Sequence, residues 1–581
     1  MTKNLYMPSV LEAIYPNVAA WDAAMARVQA KTEGFKAEFE DVVCESPAKL
    51  WEVLRQFERI LIEVESVFVY GQLGFDLNPD SDESAQRFAR AEENSLYVEE
   101  LTSFLLDELL QIDMAQFDAF TAEQPELVRY RPFLLRVNHA WTHGGAPELR
   151  SALAALDSVG QHFEESAKTL LLRELKFVPV EHPDNGTVTL TWSNYRTLLS
   201  DPDRAFRQRV AQSFLGGLHQ HVETLSSLYH GYVKKEQQAA NLRGFTSSFE
   251  AAMHRDQVEG ELYDHLLEVA RKHAPAFQAS LELRRQRRGE AGDALRWYDL
   301  FAPLAPAVSR TYTLKDAEQV LTAALQPLGP EYVQYVRESF THIVPDAPMP
   351  TVYTTNVYAR RPVVLMNYRN TVDSLLTLAH ELGHALHLRL ANRRQPFFAA
   401  EASVIPSEIA ALTNEWLVLL HLLDMATDEE ERSYLTTLAV EKFQTAFFRQ
   451  ALLAEFERHV HDQIEEGAFL TAPLLGELYS TLLATYYGEE FAAAEAADDW
   501  VRVTNLYECF TTYTAPIASC IAVTLASSLH QEGGLPLADR YLQMLAKGNS
   551  LPPADLLQII GVDLMQGDYY KQALEAYKSL F

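Results

Sequence analysis

The chain is poor in the features that mark cross-linked, membrane-spanning or nucleic-acid-binding proteins. Cysteine is scarce: Cys44, Cys509 and Cys520 are the only three in 581 residues, and no two form a C-x-x-C pair. This argues against a disulfide framework and against a thiolate metal site. No stretch approaches the ~20 uninterrupted apolar residues that a membrane helix needs. Basic charge is short: 49 Lys and Arg stand against 80 Asp and Glu, a formal net charge of −31. That balance opposes binding to nucleic acid or to an anionic membrane surface, both of which call for a basic patch. It suits solubility first and is no evidence of any activity, though cationic or zwitterionic peptides are compatible with it. The opening residues Met1–Met7 show no charged region followed by an apolar block, so no secretory signal is expected. With so few cysteines, the expected location is the cytoplasm. Neither a short-period repeat nor a low-complexity tract is present.

Glycine and proline are few, 24 and 26, which permits long helices. Helical periodicity runs through residues 50–69, 91–110, 203–239, 260–287, 315–328, 433–466 and 474–487. Two segments break it. Lys176–Val180 and Thr187–Leu190 are β-prone runs around Asn185-Gly186, a hairpin signal. The expected division falls there, between an N-terminal helical region (1–185) and a catalytic region (186–581), the two forming one bilobal body. Thr351–Thr355 and Val363–Tyr368 read as two further short strands, and a sheet edge there is able to take up an extended peptide. The expected class is mainly α with a small sheet beside the helix that follows.

That helix carries His380-Glu381-Leu382-Gly383-His384, an instance of H-E-x-x-H. Residues four apart share a helix face, so His380 and His384 can grip one zinc ion, with Glu381 placed to take a proton from a water. Chance alone yields this pattern in about 4 of 100 such chains, so its context counts. Asn370 is expected as N-cap, with Asp373 its capping-box partner. Val372, Leu375, Leu376, Ala379, Gly383, Leu386 and Leu390 recur at helical spacing and predict one buried face. Thr377, His380, Glu381, His384 and His387 fall on the other. Gly383 costs helix stability and suggests a close-approaching segment.

Catalytic zinc takes three protein ligands and leaves one position open. Cysteine cannot supply the third, which leaves a carboxylate. A second helix is expected from Pro406, with Ile409, Leu412, Trp416, Leu419 and Leu420 on its apolar stripe. Glu408 and Glu415 lie on one face of it, two turns apart. One can bind metal while the other orients a ligating histidine. Glu401 competes for the ligand role, with Glu408 in a modest lead.

These residues resemble the M3 metallopeptidases, most closely the oligoendopeptidase F branch, with thimet oligopeptidase more distant. The likeness runs through Val363–Tyr368, Asp373, Leu378–His384, Gln395-Pro396 and Glu408–Glu415, and reaches Val233-Lys234-Lys235, Tyr298-Asp299-Leu300 and Trp500. In that family the third zinc ligand opens an E-x-A-(S/A)-x-x-N-E segment. The resemblance therefore implies Glu408 as ligand, Glu415 behind a ligating histidine, and a two-lobed helical body around a deep substrate channel.

The resemblance also directs attention to Trp500–Tyr513, where family members carry a histidine followed by tyrosines. A tyrosine hydroxyl can stabilise the oxyanion formed in peptide hydrolysis. Tyr507 and Tyr513 match family tyrosines. Asn505 stands in place of the histidine as a non-titrating hydrogen-bond donor near the site, and Ala515 replaces another tyrosine. The usual glycine-rich turn before Val363 gives way to Pro350–Thr355. The expected activity is zinc-dependent endopeptidase cleavage of oligopeptides, with one zinc ion and Glu381 as general base. A zinc exopeptidase, or a peptide-binding protein with reduced or lost turnover, are the alternatives.

Overall fold

The computed structural model describes residues 7–143, 147–288, 295–302, 310–348, 352–358, 360–489, 491, 493–531 and 535–580. Helices dominate, and local chemistry sets their ends. Helix Pro47–Leu77 begins where Ser46 Oγ accepts from Lys49 N and Pro47 supplies a pre-set first turn. Helix Gly260–Arg287 matches its expected span and tolerates Pro275 inside it. The stretch 203–239 is two helices, Arg204–His219 and Val222–Arg243, which part at Gln220-His221, just past the helix-weakening pair Gly216-Gly217. Gly244, at φ +87°, caps the second in the left-handed conformation that glycine adopts readily. No helix among the described residues is long and apolar enough to cross a membrane.

The β-structure is small. Strands β1 (Val180–His182) and β2 (Gly186–Val188) form the expected antiparallel hairpin, shorter than the sequence runs, with Gly186 at φ +67° at the turn. A second sheet holds β3 (Ile343–Val344), β4 (Tyr353–Thr355) and β5 (Val363–Leu365) in the order β3-β5-β4. β3 runs parallel to β5 and β4 antiparallel to it, so β4 is an edge strand. Thr351, the first residue of the expected strand, lies outside the described residues.

The chain divides into two compact units, and neither is continuous in sequence. The first comprises Met1–Thr142, Arg310–Asp424 and Ala522–Asp563; the second comprises His143–Ser309, Met425–Ile521 and Leu564–Phe581. The expected division at 185/186 falls inside the second unit. Apolar burial explains the grouping. In the first unit the N-terminal helices share a core with the small sheet: Trp21, Val28, Leu50, Leu54 and Leu73 join Val344, Val363 and Leu365. Phe398 is stacked on Phe133 at 4.2 Å and on Phe57 at 5.7 Å. The N-terminal helices are thus part of the body that carries the H-E-x-x-H segment.

Candidate metal centre

The H-E-x-x-H segment lies in the middle of helix Val372–Arg394, the motif helix. Its N-cap is Thr371, whose Oγ1 accepts from Ser374 N at 3.2 Å, and not Asn370 as the pattern suggested. Asn370 instead takes a left-handed turn at φ +58°, a conformation asparagine tolerates, and its carbonyl accepts from Tyr312 N. The helix is also buried on more than the one face expected. Glu381 is 8% exposed and His387 is fully buried. Both ring nitrogens of His387 lack a hydrogen-bond partner, and burial lowers its pKa to about 4, so it is a neutral core residue outside the ligand cluster.

Helix Val404–Met425, the partner helix, packs across the motif helix at Gly383. A Cβ at that position would lie 2.5 Å from both Ala410 O and Ala411 Cα, so only glycine admits this approach. Asn414 ties the pair together: its Nδ2 donates to Ala379 O at 3.2 Å, and its Oδ1 accepts from Tyr332 Oη at 2.8 Å. The crossing carries Glu408 and Glu415 to the two histidines.

His380, His384 and Glu408 each offer a ligand atom, and these atoms all lie within 4.8 Å of one another. They are the one such group of three among the described residues. His380 Nε2 and His384 Nε2 stand 3.3 Å apart, and Glu408 Oε1 is 3.8 Å from His384 Nε2. Behind them, Glu415 Oε2 faces His380 Nδ1 at 3.4 Å and Ser407 Oγ lies 2.9 Å from His384 Nδ1. Both histidines are therefore braced through Nδ1, and the tautomer that leaves Nε2 bare has its hydrogen on the braced nitrogen. Glu381 Oε2 accepts from Thr354 Oγ1 at 2.8 Å. Glu401 sits elsewhere: it is exposed, and its Oε2 accepts from Asn549 Nδ2 at 3.3 Å.

Electrostatics separate the two rings. Burial works against charge on His380, but Glu415 outweighs it and raises the pKa. Burial and the neighbouring His380 lower that of His384 to about 3, which keeps its lone pair available. Burial raises both Glu381 and Glu408, against the Thr354 hydrogen bond in the first case and the charge of His380 in the second.

The family model described as Peptidase family M3 matches residues 197–576. The chain belongs to peptidase family M3. It is similar to the oligopeptidase PepF of Bacillus subtilis, 26% identical over 98% of this chain and 85% of that one. It is likewise 25% identical to an oligoendopeptidase F homolog of Lactococcus lactis, over 98% of this chain and 95% of that one. In fold it resembles the crystal structure of oligoendopeptidase-F from Enterococcus faecium (TM-score 0.74, 24% identity, 96% and 98% of the two chains). A crystal structure from Chlamydophila abortus is similar too (TM-score 0.83, 22% identity, 98% of each chain). As an M3 member the chain is a metalloendopeptidase, a hydrolase with a mainly helical fold.

Family membership implies a metal, and the donor set fits one. In a tetrahedral zinc site with Zn–N of about 2.0–2.1 Å, two nitrogen ligands stand about 3.3–3.4 Å apart. The two Nε2 atoms are already at that spacing, 3.3 Å. Two imidazoles and one carboxylate also form a borderline donor set that suits zinc and leaves a position open.

Ser407, Thr354 and Tyr332 are the supporting residues that the sequence did not disclose. Ser407 precedes Glu408 directly, which was the available signal. Thr354 and Tyr332 reach the site from other elements, and spacing within the motif holds no trace of them.

The tyrosine segment belongs to the second unit. Tyr513 is fully buried, and its hydroxyl donates to Asp256 Oδ2 at 3.1 Å. Tyr507 is 8% exposed and packs its ring against Tyr229 and Tyr232 at 5.6 and 5.2 Å. Asn505 is exposed, on the short helical turn Thr504–Tyr507. Below them, the fully buried Glu457 accepts from Phe510 N and Thr512 Oγ1, both at 2.6 Å. Of the other family-like positions, Asp299 is bound by Arg204 and Arg207, and Trp500 is packed on Tyr229 at 5.5 Å.

Proposed function

We propose that this M3 peptidase is a zinc-dependent endopeptidase that hydrolyses peptide bonds in oligopeptides. The convergence of His380 Nε2, His384 Nε2 and the Glu408 carboxylate, each histidine braced at its far nitrogen, carries this reading. His380, His384 and Glu408 hold the ion. When bound, zinc supplies Lewis acidity to a water and to the scissile carbonyl. Glu381 accepts the proton released by the attacking water and returns it to the leaving amine. Glu415 and Ser407 keep the two rings in their ligating orientation. An extended substrate adds to the free edge of β4 by main-chain hydrogen bonds. Tyr507 and Tyr513 are the proposed donors to the developing oxyanion, and Tyr513 serves only by leaving Asp256. Oligopeptide substrates accord with the names of the relatives, and three cysteines free of disulfides accord with the cytoplasm.

The deciding experiment is Glu381→Gln, assayed on a peptide blocked at both ends. The expected result is full zinc content, an unchanged melting temperature and a loss of kcat on the order of 10²–10⁴-fold. Cleavage at the unaltered rate removes Glu381 from the role. A wild-type enzyme that leaves the blocked peptide intact but trims a free end is an exopeptidase. One that binds peptides under zinc saturation without cleaving any is a binding protein.

A further inference from the structure

We propose that Thr354 is a positioning residue for Glu381: it holds carboxylate oxygen Oε2 and so reserves Oε1 for proton transfer. The proposal rests on the reading of Glu381 as general base. Thr354 Oγ1 lies 2.8 Å from Glu381 Oε2 and 3.0 Å from the main-chain carbonyl oxygen of the same residue. A hydroxyl has one hydrogen and donates to one acceptor at a time. Directed at Oε2, it makes a charge-assisted hydrogen bond and fixes the rotation of the carboxylate. Without it, the terminal torsion of a glutamate is broad and roughly two-fold, and either oxygen can face the reaction.

The hydroxyl can act this way because its own strand is anchored. Successive strand residues point to opposite faces, so Thr354 faces the motif helix while Tyr353 and Thr355 face away. The main chain of Thr354 is in register with Val364 of β5. From the other face, the Tyr353 hydroxyl donates to Asp76 of helix Pro47–Leu77. Just past β4, Glu65 of the same helix accepts from Tyr358 N at 2.6 Å. Asn392 Nδ2, on the motif helix itself, donates to Asn356 Oδ1 at 2.9 Å. The strand is thus pinned at its front, at its back and beyond its end, and Thr354 is its contact with the general base.

The test uses the zinc-loaded full chain with Thr354→Val, which keeps the shape and deletes the hydroxyl, and Thr354→Ser, which keeps the hydroxyl. For Thr354→Val we expect kcat to fall about 10- to 100-fold, the scale of a misplaced catalytic group, with KM within about twofold and zinc content unchanged. Thr354→Ser should stay within about threefold of the wild type. Crystal structures of the metal-free proteins give a readout independent of turnover: one carboxylate orientation at Glu381 in the wild type, and a rotated or split one in Thr354→Val. Unchanged kcat in Thr354→Val, equal damage in both variants, or a loss carried by KM overturns the proposal, as does an unmoved carboxylate. If the wild type cleaves normally and Thr354→Val is unaffected, this proposal alone fails. If the wild type cleaves no peptide under zinc saturation, the functional reading fails and takes this one with it.

Discussion

The crossing of the motif helix with its partner helix and the tyrosine segment of the second unit both carry residues singled out by pattern, yet they use polar atoms in opposite ways. At the crossing, ring nitrogens and carboxylates are turned toward one another and braced from behind: His380 by Glu415, His384 by Ser407, Glu381 by Thr354. In the tyrosine segment the polar atoms are committed to neighbouring carboxylates: Tyr513 to Asp256, and Phe510 N and Thr512 to the buried Glu457. The difference teaches that a spacing rule transmits geometry only where one element supplies it. Four residues on a helix fix the separation of two imidazoles. A tyrosine seven or thirteen residues past a tryptophan is placed by whatever packs around it.

The first prediction that sharpens this contrast concerns the third ligand. Glu408→Ala should lower zinc affinity by more than the ~10–100-fold typical of a supporting residue, read by competition with a chelator, while Glu401→Ala leaves it unchanged. Equal affinities for the two variants break the comparison, because Glu408 would then be no more than another satisfied carboxylate. A smaller effect is expected behind the ligands. Glu415→Gln and Ser407→Ala should each weaken zinc binding by about 10-fold and leave the fold intact by circular dichroism. Glu415→Gln should cost more, since an ionised acceptor makes the stronger hydrogen bond. The reverse order would mean that the hydroxyl, and not the carboxylate, sets ring orientation.

The third prediction tests the tyrosine segment through stability. Burial pushes Glu457 up to about 8, against its hydrogen bonds from Thr512 and Phe510. An unfolded glutamate titrates near ~4.3, so the folded state holds this proton more tightly. Its stabilising contribution is full below that pH and is lost as pH rises through about 8. Glu457→Gln should flatten this decline, by up to a few kcal/mol between pH 5 and 9, measured by urea unfolding of both proteins. A stability difference independent of pH would show that Glu457 is ionised throughout, and that the segment rests on a buried charge.

Much of the fold was legible in the chain. Long helices followed from apolar periodicity, and helix Gly260–Arg287 was delimited as it stands. Other boundaries shifted where local bonding competed. The Thr371 hydroxyl caps the motif helix because Asn370 takes a left-handed turn, and the span 203–239 divides near two adjacent glycines. The expected single buried face of the motif helix was too narrow, since a helix packed against a sheet and a second helix hides polar positions as well. His387 is the clearest case: it shares the polar side of the pattern with His380 and His384, yet it is sealed in the core. The division at 185/186 was drawn on a turn signal, whereas the compact units follow shared apolar burial between stretches far apart in sequence.

What the sequence determined by itself is the pair of imidazoles and the acid beside them, because helical rise and twist turn a four-residue interval into a fixed distance. It also suggested, through Gly383, that another segment comes close. Only the tertiary structure decided what approaches. The crossing of two helices at Ala410 and Ala411 brings the Glu408 carboxylate to the histidines, and an edge strand lays the Thr354 hydroxyl against Glu381. Those contacts join residues up to twenty-eight positions apart, and their geometry is set by packing, which no local interval encodes.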